Sequence, residues 1–294
     1  MRPGDLGALT LLGALWGGSF LFISVAVPAL GPALLVELRV LLAAVALALC
    51  AVAVGRLPAL RSQWKEFLIL GGLNAAAPFM LIAISQLNLT ASLAAIMNST
   101  TPLFAAVVAA AWIGEELTTR KIFGLLLGVV GVVVLVGLDP VPLNGVVLLS
   151  VGASLLAALC YALGGVYAKR TFPGVPPLAM GICQQAAAAA ILLPLAAANL
   201  PGEPPSFAVV LSVLGLALLS TAVAYLIYFR LMASVGPTKT LTVTFLVPVF
   251  GVLFGVLLLG DPVGVGTFAG MGIILSSVAL VTGISLGRAK EKGA

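Results

Sequence analysis

Histidine is absent from this 294-residue chain, and only 8% of its residues are charged. The first absence excludes histidine-based metal sites and every Ser-His or Cys-His catalytic arrangement. The second leaves too little polar material to cover a water-facing surface, because soluble domains carry roughly 25% charged residues. There are three cysteines. Cys50, Cys160 and Cys183 lie far apart in apolar stretches, without the spacing of a zinc site or a disulfide framework, and read as small packing residues. Neither a Walker A loop nor a clustered covalent nucleophile occurs. The expectation is therefore no metal, no cofactor, no enzyme and no primary pump.

Apolar residues fill the space instead, at 62% of the chain and a mean hydropathy of +1.26. A spanning helix needs about 20 apolar residues. Charge clusters and Pro/Gly breaks divide the chain into ten such runs, near 6–27, 33–54, 66–86, 91–112, 119–138, 144–168, 177–198, 208–230, 238–259 and 264–287. The predicted class is all-α: a polytopic membrane protein of ten transmembrane helices. The first run is too long for the apolar core of a signal peptide and is read as a retained helix.

Lysine and arginine orient the bundle. With the N-terminus in the cytoplasm, the inner segments hold Arg2; Arg56, Arg61 and Lys65; Arg120 and Lys121; Lys169 and Arg170; Arg230 and Lys239; and Arg288, Lys290 and Lys292. That is 13 of the 14 basic residues. The outer loops hold Asp139, Glu203 and Asp261. This positive-inside pattern puts both termini in the cytoplasm. It makes the net charge of +5 a matter of topology and anionic lipid rather than of nucleic acid.

The chain also repeats itself. At an offset of 146 residues, Pro102 matches Pro248, Phe104 matches Phe250, Gly114 matches Gly260, Glu115 matches Asp261 and Gly124 matches Gly270. A weaker pairing sets Trp16 against Tyr161. The halves, 1–140 and 141–294, hold five spans each. An odd number of spans makes the second half enter the membrane upside down, so the repeats are expected to be inverted. Inverted repeats supply two similar conformations open to opposite sides around one central site, as a carrier requires.

Helix breakers and polar residues mark that centre. Pro78, Pro102 and Pro248 each free a backbone carbonyl one turn back, and in lipid such groups need partners or a water-lined cavity. They are candidate hinges, with simple packing kinks as the alternative. Asn74 and Pro78, Asn98 and Pro102, and Thr240, Thr244 and Pro248 share helix faces by their spacing of four. Asn74, Asn98 and Thr244 become candidates for binding a substrate's polar groups, with interhelical hydrogen bonds as the plainer alternative. Trp16 and Phe20 share a face of the first helix. Thr221, Tyr225 and Tyr228 share one on the eighth, and Tyr161 lies well inside the sixth. Trp16, Tyr161 and Tyr225 sit too deep for a membrane belt, and the set suits the wall of a small-molecule pocket. With no Lys or Arg read as central, the pocket should take a neutral organic molecule. Glu37 and Arg39, within the second span, are read as structural or coupling charges pointing apart, Glu37 as a peripheral proton site. No carboxylate falls near the midplane, which favours uniport, or coupling through Glu115 or Asp261. Gly124/Gly128, Gly251/Gly255 and Gly266/Gly270 form GxxxG steps, expected to pack within a monomer first and to seam a weak homodimer second.

Taken together, GALWGGSFLFIS (13–24), Arg39, NSTTPLFAAVVAAAWIGEELTTRKIFGLLLGVVGVV (98–133) and FLVPVFGVLFGVLLLGDPVGVGTFAGMGIIL (245–275) resemble the drug/metabolite transporter superfamily in its EamA-type ten-helix branch. The resemblance covers nearly the whole chain. It implies a central cavity built by helices 1, 3, 4, 6, 8 and 9, with helices 5 and 10 at the rear. Within the branch the chain is most similar to the YddG-type aromatic amino-acid exporters. That likeness implies a bacterial inner-membrane exporter of Phe, Tyr, Trp and other neutral amino acids, with drugs or other metabolites as the alternative cargo. Tyr161-Ala162 departs from the Trp-Ala common in second repeats, which bears on cavity size.

Overall fold

A computed structural model describes residues 1–55, 63–138 and 144–283. Arg56, Arg61, Asp139, Arg288, Lys290, Lys292 and the expected boundary between the halves at 140/141 lie outside the described residues. Those that are described are almost entirely helical, as a chain in lipid must be to satisfy its own backbone. Residues Pro3–Ala53 run as one element, but Gly31 adopts φ 68°, ψ 161° between Pro28 and Pro32 and breaks it in two. We label the parts α1 (3–30) and α2 (32–53). The other helices are α3 (Trp64–Ser85), α4 (Ala91–Ile113), α5 (Thr119–Gly137), α6 (Gly145–Thr171), α7 (Pro177–Ala197), α8 (Phe207–Val235), α9 (Val243–Leu259) and α10 (Val265–Thr282). The ten predicted spans correspond to these ten helices.

Short polar side chains start four of them. Thr90, Thr118, Asn144 and Ser206 each accept a hydrogen bond from the backbone N–H three residues on, satisfying donors that the first helical turn leaves free. At the other terminus, α4 and α9 stop alike. Gly114 and Gly260 are both left-handed, at φ 70°, and the next residue's N–H reaches six residues back, Glu115 to Ala109 O at 3.2 Å and Asp261 to Gly255 O at 3.0 Å. π-helical segments interrupt α3 at Gly72–Ala76 and α8 at Gly215–Val223, which overlap at the repeat offset, and a third closes α9 at Gly255–Leu259.

Side-chain ties fix which helix ends lie together. Lys169 at the end of α6 donates to Glu115 beyond α4 at 3.3 Å, and Ser234 at the end of α8 donates to Asp5 at the start of α1. We call this the Arg2 end. At the opposite, Gly31 end, Asp261 beyond α9 accepts from Ser92 at the start of α4.

Helices α5 and α10 pack on each other at the rear through glycines. A Cβ on Gly124 would lie 2.7 Å from Val281 Cγ2, one on Gly131 2.7 Å from Ile274 Cγ1, and one on Gly270 2.6 Å from Leu135 Cβ. The opposite face of α5 leaves Phe123, Leu126 and Val133 exposed, which is the apolar surface a lipid chain covers. The glycine steps thus serve packing inside this chain. Elsewhere α1 lies on α9, where a Cβ on Gly17 would meet Val247 O at 2.8 Å, while α6 lies against α3 and α4 and α7 against α2 and α3.

The two repeat-related prolines sit differently in their helices. Pro102 follows a real interruption of α4, the turn at Ser99–Thr100, whereas Pro248 sits inside the unbroken segment Val243–Phe254. The turn that precedes α9 lies earlier, at Leu241–Thr242. Pro78 stands in the first turn after the π segment of α3.

Candidate functional site

Between the front helices lies a central cavity of about 330 Å³. Trp16 and Phe20 of α1, Asn74 of α3, Asn98 of α4, Tyr161 of α6, Tyr225 and Tyr228 of α8 and Thr244 of α9 all line it, together with Pro102. All eight residues singled out for substrate contact therefore face one space. Pro78, Pro248 and Glu37 do not line it.

The aromatic wall is built from ring pairs. Trp16 and Tyr228 have centroids 5.5 Å apart, and Tyr161 meets Phe79 edge-on at 6.2 Å. Such tilted contacts are worth roughly 0.5–1.5 kcal/mol beyond area burial and restrict the rings that a ligand would touch. Leu241, 46% exposed, stands at the margin toward the Arg2 end. Toward the Gly31 end, Gln86 Nε2 ties α3 to α1 by donating to Phe20 O at 2.8 Å and Ser24 Oγ at 2.7 Å. Asn88 Nδ2 reaches Ser150 Oγ on α6 at 3.2 Å.

Polar groups divide into tied and free. Asn74 Nδ2 donates to Gln184 Oε1 at 2.9 Å, and Gln184 Nε2 donates in turn to the Tyr225 hydroxyl, so α3, α7 and α8 are joined by one chain. Gly164 makes room for it, since a Cβ there would sit 2.8 Å from Asn74 Cβ. Thr244 spends its hydroxyl proton on Leu241 O at 2.8 Å. Asn98 is different: its Oδ1 is buried without a hydrogen-bond partner, in the cavity wall. A buried polar atom left unsatisfied costs about 1–3 kcal/mol.

One expectation is corrected. The sequence suggests a cavity free of Lys and Arg, but Arg39 lines it. The side chain is only 6% exposed. Its Nε donates to Thr221 Oγ1 at 3.1 Å, and its Cζ lies 3.5 Å from the Phe79 ring centroid. The break at Gly31 explains the error, because it sends α2 back into the bundle at an angle that helical periodicity does not report. Helix α2 thus joins the helices that the family resemblance implies for the cavity. Glu37, two residues earlier, faces the other way, into an apolar groove between α2 and α7 with Leu41 and Ala189, and its Oε2 has no partner.

The sequence reading does not single out several further lining residues, Phe79, Ser99, Thr101 and Ser220 among them. Phe79 and Ser220 lie beside Pro78 and Thr221, so adjacency to a marked residue was the available signal. Among the described residues, no group of three or more Cys, Asp or Glu side chains is placed to hold a metal ion.

Comparison with known proteins places this geometry. The model of the EamA-like transporter family matches residues 3–137 and again 148–283. The uncharacterized inner membrane transporter YedA of Escherichia coli (strain K12) is 28% identical over 94% of this chain and 90% of its own. The uncharacterized transporter YvbV of Bacillus subtilis (strain 168) is 25% identical over 93% and 90%, and protein PecM of Dickeya dadantii (strain 3937) 26% over 94% and 92%. A solved crystal structure that is 20% identical superposes with a TM-score of 0.69, covering 96% of this chain and 97% of that one, and speaks for the fold alone. With nearly every described helix inside one or other of the two matched segments, the chain belongs to the EamA-like transporter family and is a multi-pass membrane transporter.

Proposed function

We propose that this transporter exports small neutral organic molecules, aromatic and other neutral amino acids foremost, in the manner of the YddG-type exporters. The observation that carries the reading is the central cavity. Its aromatic wall of Trp16, Tyr161, Tyr225 and Tyr228 is paired with a few polar groups at Asn74, Asn98 and Thr244. Its volume, about 330 Å³, falls at the small end of ligand pockets. Trp16, Phe20 and the tyrosines hold the apolar body of the cargo; Asn98 and Thr244 meet its polar end.

Movement across the membrane follows from two five-helix halves, 1–140 and 141–294, acting as inverted repeats. Support comes from the paired left-handed stops at Gly114 and Gly260, from the π turns of α3 and α8, and from the two family matches. Glu115 and Asp261, related by the repeat, also lie at opposite ends. Pro102 and Pro248 are the positions about which α4 and α9 bend between states. With 13 of 14 basic residues assigned to one side, the Arg2 end and both termini are cytoplasmic. The membrane is the bacterial inner membrane, as the name of YedA states for that relative. No carboxylate lines the cavity among the described residues, so transport is uniport. The glycine faces of α5 and α10 are consumed within the chain, which favours a monomer in the lipid bilayer over a weak homodimer.

The test is counterflow of labelled phenylalanine in proteoliposomes, with and without a pH gradient. Accumulation that is saturable and indifferent to the gradient is expected. No counterflow with phenylalanine, tyrosine or tryptophan would overturn the amino-acid reading, and dependence on the gradient would overturn uniport.

A further inference from the structure

We infer that Arg39 is the anion anchor of the central cavity and that the cargo carries a single carboxylate, bound by the outer edge of the Arg39 guanidinium. The inference deepens the proposed function and rests on it for the identity of the cargo, but not for the chemistry of the site.

Arg39 is 94% buried, by its 6% exposure. Moving a full charge out of water costs several kcal/mol even after relaxation, unless an opposite charge and good hydrogen bonds compensate. Among the described residues no Asp or Glu lines the cavity, and Arg39 takes part in neither described ion pair. Its only acidic neighbour along α2, Glu37, faces the separate groove toward α7. Two groups partly compensate: the Phe79 ring under the guanidinium face and Thr221 Oγ1 on Nε. Thr221 is itself fully buried and fixed by donating to Leu216 O at 2.8 Å.

These two contacts also determine what remains. One face of the guanidinium is stacked and the Nε edge is occupied. No hydrogen bond engages Nη1 or Nη2 among the described residues. The remaining edge is the pair of parallel N–H groups that fits a carboxylate in two hydrogen bonds. Phe79 and Thr221 are thus positioning residues that hold the fork rigid before the ligand arrives, and that lowers the entropy lost on binding. One fixed positive charge with aromatic neighbours matches one negative charge on an apolar body. A phosphate dianion would want more cations than the one present.

The experiment compares matched acid and amide ligands on the purified full chain: phenylalanine with phenylalaninamide, and 3-phenylpropionate with 3-phenylpropionamide, read by thermal stabilisation and by competition for transport. Each acid should bind at least tenfold more tightly than its amide. Arg39→Gln should remove the preference, and Arg39→Lys, which keeps the charge but loses the fork, should reduce it. Because the ligand pairs are compared first on the unaltered protein, a variant that fails to fold leaves the test intact. Equal binding of acid and amide overturns the anchor, even where phenylalanine counterflow proceeds and the amino-acid reading stands. Preference for 3-phenylpropionate over its amide without any amino-acid counterflow sustains the anchor and overturns that reading. Tighter binding of phenylphosphonate than of either acid, or no binding of any acid, also overturns the anchor.

Discussion

Asn74 of α3 donates to Gln184 of α7 across 2.9 Å, and Arg39 of α2 donates to Thr221 of α8 across 3.1 Å. The two bonds are counterparts: Asn74 and Thr221 are 147 residues apart, Arg39 and Gln184 145, either side of the 146 offset seen in sequence. Each half thus links its second helix to the third helix of the other half, once with a charge and once with an amide. The two amides can exchange partners at little expense, whereas the guanidinium cannot lose its proton and retains its need for an anion.

Breaking the amide link should be mild. Interhelical hydrogen bonds in membranes average about 0.6 kcal/mol in double-mutant cycles. Gln184→Leu removes two of them, to Asn74 and to Tyr225, so a loss of about 1 kcal/mol is expected. A melting temperature a few degrees lower in detergent checks this; a collapse of the fold would contradict it. Transport should fall more than stability, because Tyr225 loses the bond that orients its hydroxyl in the cavity.

Asn98→Ala should separate binding from folding more cleanly. The Asn98 side-chain oxygen satisfies nothing inside the protein, so its removal breaks no described bond at that atom. Flux in proteoliposomes should drop several-fold while the melting temperature stays unchanged or rises. Unaltered flux would remove Asn98 from the site.

How far the sequence reveals this site depends on the helix. On α1 and α8 the turns carrying Trp16 and Phe20, or Tyr225 and Tyr228, are continuous, so spacing of three and four finds the shared face. On α3 the π turn at Gly72–Ala76 inserts about one extra residue, shifting the helical phase by roughly 100°. Phe79 therefore reaches the cavity although its neighbour Pro78 was the residue marked. Arg39 was found as a membrane charge but not as a wall of the pocket, because the angle between α1 and α2 is determined at Gly31 by a backbone conformation that hydropathy does not encode. For the rear pair α5 and α10, glycine spacing shows only that both helices can pack closely, and their pairing comes from the family resemblance.

Two adjacent glycines test the fit of α6 on α3. A Cβ on Gly164 would press on Asn74, while one on Gly165 meets nothing within 4 Å. Gly164→Val should displace Asn74, disrupt its bond to Gln184 and cost about 1–3 kcal/mol through overpacking. Gly165→Ala should be neutral or slightly stabilising, since alanine is the better helix former by about 1 kcal/mol. Melting curves of the two variants side by side measure the difference, and equal curves would refute the close contact.

Glu115 and Asp261 occupy matching places after α4 and α9, yet neutralising them should have unequal effects. Glu115 pairs with Lys121 at 3.7 Å and Lys169 at 3.3 Å while remaining 43% exposed, and an exposed ion pair contributes about 0–1 kcal/mol. Asp261 Oδ2 instead accepts from both the backbone N–H and the hydroxyl of Ser92, at 2.9 and 2.7 Å, in the first turn of α4. There a carboxylate is favoured by the helix dipole, and its hydrogen bonds count roughly 1.5–3 kcal/mol each. Glu115→Gln is expected to leave the melting temperature within about a degree, and any change should vanish in high salt. Asp261→Asn should lower it by several degrees regardless of salt, since the site is partly buried and poorly screened. Chemical or thermal melts of both variants at two ionic strengths decide the matter: equal losses would mean that the bonds from Ser92 add nothing beyond surface charge.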